Sequence, residues 1–227
     1  MLFRSAVSKT LEAALAQRLA AAVLPGDNPF PAEGLNAASA FLLTTAGERR
    51  PGVPAIGIDS VPGSAGERMT RIAVINDDMP FLVDSIAAAV SAQGLAISRL
   101  IHPVLPVRRD PQGQITDLPE GAAAAGEARE SMVYLETGRA DARTRRELAS
   151  ALSTTLAEVR AAVADWPRMQ ALMEEDAATL GDAEGAALLR WLKDGMLTQL
   201  GHVTHHRDGR DTAMLGLCRK GAQPLLG

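Results

Sequence analysis

The sequence predicts an α+β fold, an antiparallel sheet with helices packed on one face, and three observations carry that prediction. Residues 71–75 are a short run of β-branched and small apolar side chains that ends in Asn76-Asp77-Asp78 and passes, after Pro80, into a helical pattern. Residues 95–108 and 131–137 are two further extended runs. Asp141 then opens a long amphipathic helix. Strand, helix, strand, strand, helix is the order of a ferredoxin-like βαββαβ unit whose last strand is still to be found. That strand is expected either from the upstream segment around residues 40–61 or from residues 201–206.

Residues 1–24 carry Arg4, Lys9, Glu12 and Arg18 among apolar residues, so they read as an amphipathic helix rather than a signal sequence. Leu11, Leu15, Leu19 and Val23 recur every four residues and form its packing stripe. The Pro-, Gly- and Asn-rich residues 25–34 read as a linker. Residues 40–45 and 53–61 have β character and flank the charged turn at residues 47–52, which predicts a hairpin or a pair of edge strands. Residues 62–66 form a loop that hands the chain to the central strand.

In the central stretch Asn76-Asp77-Asp78 ends the strand, Asp78 is placed to cap the helix and Pro80 to sit in its first turn. Leu82, Ile86, Ala89 and Val90 make the apolar face of that helix, and Gly94 falls just past its end. Pro103 and Pro106 cannot donate ladder hydrogen bonds, so the strand at 95–108 must bend, bulge or lie at an edge. Residues 109–114 are a turn, and the alanine run within 118–129 is a loop or a short helix. The long helix extends to about Asp165, with Leu148, Leu152, Leu156, Val159 and Val163 on one face. Two helices at 167–179 and 183–198 follow, the second with Leu188, Leu189, Trp191 and Leu192 facing a core. Asp208-Gly209 suits the tight turn of a hairpin whose return strand is residues 212–219. The chain therefore divides into a helix and linker at 1–34, an α+β domain at 35–166, and a helical segment with a hairpin at 167–227 that leads towards a following domain.

Composition narrows the function. The formal charge of -4 and the absence of a basic stripe argue against a nucleic-acid surface. No span offers the roughly 18 uncharged apolar residues of a membrane helix. Cys218 is the lone cysteine, which excludes an internal disulfide and fits a reducing cytoplasm.

No GxGxxG follows a strand, and GxxxxGK[ST], HExxH and GxSxG are all absent. His202, His205 and His206 are the one metal-like cluster, with 202 and 206 on the same strand face, but solvent-facing hairpin residues are the commoner explanation. Asp77, Asp78 and Asp84 are the carboxylates to weigh. Asp78 serves as a helix cap in the simplest reading. In the functional one, backbone N–H groups at the positive helix end bind the carboxylate of a small ligand, and the acidic side chains meet its amino group. His102 on the bent strand reads as a packed or edge-strand histidine.

The strings NDDMPFLVDS (76–85), IHPVLPVRRDPQGQ (101–114) and ESMVYLE (130–136) resemble the N-terminal region of the large bacterial NAD-specific glutamate dehydrogenases. LLRWLKDGMLTQLGH (188–202) is a looser match, with Met196, Thr198 and Gln199 where more aromatic residues are usual and His202 in place of a tyrosine. The resemblance implies a fragment of ACT type, a ferredoxin-like module that binds amino acids or makes subunit contacts. It implies a regulatory or assembly role within an enzyme that oxidatively deaminates L-glutamate with NAD, the dehydrogenase domain lying downstream in the same chain. No catalytic residue, metal or cofactor site is expected in these 227 residues. The usual ACT turn is Asp-x-Pro-Gly-Leu, and Asp78-Met79-Pro80-Phe81-Leu82 departs from it at Phe81. By resemblance the effector contacts would be Asn76, Asp77, Asp78, Met79 and Phe81, and self-association into a homo-oligomer is the other expected role.

Overall fold

The computed structural model describes residues 2–25, 30–63, 66–121 and 128–219, without the side chains of residues 2–8. Part of the alanine run at 118–129 lies outside these residues. The chain divides into two compact units, Met1–Thr155 and Leu156–Gly227.

The first unit is organised by strand β2 (Arg68–Asp77), of which residues 72–76 are all buried. β2 pairs antiparallel with β1 (Ala55–Pro62) on one side and with β7 (Arg129–Thr137) on the other. Beyond β7 lie β3 (Ile97–Ile101) and β4 (Val104–Pro106), which together continue one edge of the sheet past Pro103. That edge bends as its two prolines require, and a register shift between Ile97 and Arg99 adds a bulge. The order is therefore β1-β2-β7-β3, with β4 also on β7. The missing fourth strand of the ferredoxin-like unit is β1, supplied from upstream.

Side-chain alternation along β2 sends Ala73 and Ile75 to one face and Ile72 and Val74 to the other. On the first face Leu15 and Leu19 of α1 (Leu2–Ala21) and Ala38, Leu42 and Ala46 of α2 (Ala32–Ala46) close over Ala73, Ile75, Ile101, Met132 and Tyr134. On the second face Ile72, Val74, Val133 and Leu135 are equally buried, and the remaining helices of this unit bury apolar stripes of their own. These are Leu82, Ile86 and Val90 of α3 (Leu82–Ala92), and Leu148 and Leu152 of α4 (Ala142–Thr179).

Two local expectations change. Residues 40–45 are not a strand but the second half of α2. The β-branched Thr44 and Thr45 are accommodated because their hydroxyls donate to the carbonyls of Ala40 and Phe41 one turn back. Gly57 on β1 fits beneath this helix, since a Cβ there would run into Thr45. The second change is at Pro167, where two helices were expected. α4 runs through this proline, an exposed interior position, and the burial of Met169, Leu172 and Ala177 beyond it stabilises the continuation. Asp141 caps α4, its Oδ1 accepting from the Thr144 N–H at 2.8 Å.

In the second unit α5 (Ala183–Trp191) is capped by Asp182 and passes into a π-helical turn at Leu192–Met196. The helix expected over 183–198 ends early because Gly195 adopts φ 108°. The expected core-facing set divides: Leu189 and Leu192 are half-buried, whereas Leu188 and Trp191 are exposed. β8 (Gly201–His205) and β9 (Asp211–Gly216) form the hairpin with Asp208-Gly209 at its turn. Asp165 holds the end of this hairpin, accepting from the Gly216 N–H and from the Arg219 guanidinium.

Candidate functional site

The site begins with register. The β2–β7 ladder sets Asp77 opposite Glu130 and Asn76 opposite Ser131. Two carboxylates directly opposed across strands repel, so a cation is required between them. Arg49 supplies it from the turn after α2. Its Nη2 donates to Asp77 Oδ1 at 2.7 Å and to Glu130 Oε1 at 2.8 Å, and Arg49 is only 4% exposed. Arg109, on the short strand β5 (Arg108–Arg109), forks onto both oxygens of Glu130 at 2.7 and 2.8 Å. Burial pushes the Glu130 carboxyl up. The hydrogen bonds and charges of Arg109 and Arg49 outweigh it and hold the group below the usual glutamate range.

This network also fixes the loops. Arg49 Nη1 donates to the carbonyls of Arg50 and Val53, and Arg109 Nη1 to those of Ala46, Gly47 and Gly113. The Gly52 N–H donates to Asp77 Oδ2 at 2.8 Å. Both oxygens of Asp77 are therefore used within the protein.

Asp78 follows one residue later at the surface. Its N–H donates to the Arg129 carbonyl and its Oδ1 accepts from the Ser131 hydroxyl at 2.8 Å. His102 Nε2 lies 3.0 Å from the same hydroxyl oxygen. Since the hydroxyl proton goes to Asp78, His102 is the donor in its Nε2–H tautomer. Burial lowers the His102 pKa and the Asp78 charge only partly restores it, so the imidazole is neutral at pH 7. Along this series of hydrogen bonds the serine hydroxyl donates to the carboxylate and not to the histidine. The order does not activate a nucleophile, and Ser131 is wholly buried.

Asp78 is not the cap of α3. The helix starts at Leu82, after Phe81, which sits at φ 68° and ψ 4° and provides no side-chain cap. Pro80 consequently precedes the helix and does not form part of its first turn. The left-handed residue reverses the chain, and the Asp78 carboxylate is held by Ser131. Phe81 is 51% exposed, Met79 half-buried and Asn76 buried within the sheet.

The structure thus brings the five sequence-predicted residues to one corner, with Asp77 and Asp78 engaged by partners that sequence reasoning did not name. Those partners are Arg49, Arg109, Glu130 and Ser131. The like-charged pair that antiparallel pairing forces at Asp77 and Glu130 was the available signal for the arginines. The turn has two carboxylates and no glycine, a combination that does not fit a dinucleotide pyrophosphate.

The three histidines of the hairpin bond locally, His202 to Thr204, His205 to Asp211 and His206 to Thr212. Among the described residues no group of three or more His, Cys, Asp or Glu side chains could hold a metal ion. Among the same residues no helix is long and apolar enough to cross a membrane.

A family model described as the glutamate dehydrogenase ACT1 domain matches residues 16–152. The chain is 35% identical over 171 residues to an NAD-specific glutamate dehydrogenase of Pseudomonas aeruginosa, a match covering 66% of this chain and 11% of that protein. It is 34% identical over 147 residues to an NAD-specific glutamate dehydrogenase of Halomonas elongata, covering 59% and 9% respectively. The chain spans about a tenth of the length of the curated relatives it matches.

Proposed function

Because the chain belongs to the glutamate dehydrogenase ACT1 domain family, we propose that it is a non-catalytic N-terminal module of a long NAD-dependent glutamate dehydrogenase and that its own role is assembly. In this reading the parent enzyme oxidatively deaminates L-glutamate to 2-oxoglutarate and ammonium in the cytoplasm. NAD and the catalytic residues belong to a downstream domain, and the module self-associates. The observation that supports assembly over sensing is the occupancy of the β2–α3 turn. Asp77 is paired with Arg49 and the Gly52 N–H, Asp78 with Ser131, and a phenyl ring stands where the usual ACT turn has glycine.

One feature favours a second reading, in which Asn76, Asp77, Asp78, Met79 and Phe81 contact an amino-acid effector. α3 has no side-chain cap, so its positive end can receive a ligand carboxylate. Thermal shift and calorimetry against a panel of free amino acids separate the two. Assembly predicts no stabilisation by any of them and no NAD reduction by the isolated chain with glutamate. Saturable binding abolished by Asp78→Ala would establish sensing instead.

A further inference from the structure

An Asp-Gly step is where a polypeptide most readily rearranges its own main chain, because glycine has no Cβ to shield its nitrogen or to restrict the backbone. The chain has two such steps, Asp194-Gly195 and Asp208-Gly209, and no Asn-Gly. Both lie in exposed turns of the second unit, the first between α5 and β8 and the second at the tip of the hairpin. Sequence ranks them equally, and the structure separates them.

At Asp208 the side chain is fastened. Its Oδ1 accepts from the Arg210 N–H at 3.1 Å and its Oδ2 from the Arg210 Nε–H at 2.7 Å. The Arg210 guanidinium, and after it the Arg210 N–H, hold the carboxyl below the usual aspartate range, which depletes the neutral acid from which water can leave. The backbone is fastened as well, the Gly209 N–H donating to the His206 carbonyl at 2.9 Å and the His206 N–H to the Arg210 carbonyl at 2.8 Å. Among the described residues, the Asp194 carboxylate meets only the Lys193 ammonium, at 4.0 Å and beyond hydrogen-bond reach, and the side chain is 71% exposed. Residues 194–198 are all exposed, and a Cβ placed on Gly195 would meet nothing within 4 Å. The backbone has already left the helix here, with Asp194 at φ −74°, ψ 24° and Gly195 at φ 108°, ψ 3°. Rotation about the Asp194 ψ bond, which brings the carboxyl carbon over the Gly195 nitrogen, therefore opens an exposed turn and breaks no hydrogen bond of the Asp194 carboxylate.

We propose that Asp194 is a site of spontaneous isoaspartate formation in the folded chain and that Asp208 is spared. The Gly195 nitrogen attacks Asp194 Cγ and loses its proton, and one carboxyl oxygen leaves as water. A second water adds to the Asp194 main-chain carbonyl carbon of the resulting five-membered imide and breaks that carbon's bond to nitrogen. Mass is unchanged, but the main chain now runs through Cβ and Cγ, one methylene longer, with a free α-carboxylate beside it. The bond from the Leu197 N–H to the Leu192 carbonyl, which closes the turn at 3.1 Å, spans this insertion. The new α-carboxylate is the group that isoaspartyl methyltransferases accept, and this supplies the readout.

The test ages the whole chain at about pH 6, where more of each carboxyl is protonated than at pH 7, both folded and in urea. Isoaspartate is read by methyl transfer from labelled S-adenosylmethionine with an isoaspartyl methyltransferase and assigned by electron-transfer fragmentation of the two peptides, while circular dichroism checks that the native sample stays folded. In the folded chain isoaspartate at Asp194 is expected to exceed that at Asp208 by about fivefold, the advantage that an exposed ion pair can confer on Asp208, and in urea the two sites should become equal. Arg210→Ala, which frees the Asp208 carboxylate, should narrow the native ratio. Equal amounts at the two sites in the folded chain, or isoaspartate at Asp194 in urea alone, overturn the proposal. A preference for Asp194 that persists in urea, or that Arg210→Ala leaves unchanged, overturns it too, because the folded structure would then not be its cause.

Discussion

Phe81 adopts the conformation for which glycine is the unstrained choice. A non-glycine residue at φ 68° sacrifices about 1–2 kcal/mol, and a ring half in water recovers little of it by burial. Phe81→Gly is therefore expected to stabilise the chain by about 0.5–1 kcal/mol, the gain being reduced by the greater freedom of glycine when unfolded. Urea denaturation measures it. At Glu130 the sign is opposite and depends on pH. Its folded pKa lies below the ordinary value of 4.5, so the ion pairs with Arg49 and Arg109 contribute fully above pH 4.5. Their contribution is lost as pH falls through the lowered folded value, when the unfolded chain binds the proton more readily. Glu130→Gln should cost about 3 kcal/mol at pH 7, where it leaves two cations with a weakened partner. In urea titrations from pH 7 to 3, the variant should also lose less stability with acidification than the wild type does.

At the scale of elements, the turn after α2 and the hairpin of β5 and β6 (Ile115–Asp117) are joined backbone to backbone. The Arg49 N–H donates to the Gly113 carbonyl at 3.2 Å, and Glu48 bridges to Gln114. Gly113 stands at φ 88°, and a Cβ on it would lie 2.6 Å from the Arg49 carbonyl oxygen, which cannot yield as a side chain would. Gly113→Ala should destabilise by at least about 2 kcal/mol in chemical denaturation, through both strain and overpacking.

None of this joint was legible in the sequence, because it couples residues more than sixty positions apart. What was legible had a local cause. β2, β7, the proline-bent edge, the Asp141 cap and the Asp-Gly hairpin were written in β-branched runs, capping chemistry and turn residues. α2 was misread because two threonines outweighed the alanines around them. Pro167 misled because long-range burial overrode a local breaker. At the candidate site, the sequence located the corner but not its partners, since the guanidinium of Arg49 arrives from a turn that no local pattern links to Asp77.

For the molecule as a whole, the notable departure from a βαββαβ unit is where the edge strand comes from. The position beside β2 is filled by β1, which precedes it, so among the described residues the sheet β1-β2-β7-β3 takes no strand from beyond Thr137. On a ribosome, which releases the chain from its N-terminus, this order matters. A unit whose last strand follows its last helix holds one open edge until that helix has been made, and open edges recruit other nascent chains. Here β2 can pair on its outer side as soon as residue 77 has left the tunnel, and the sheet is complete before the first turn of α4 emerges. The direction of translation thus lets β2 pair on both sides before the last helix of the unit is made.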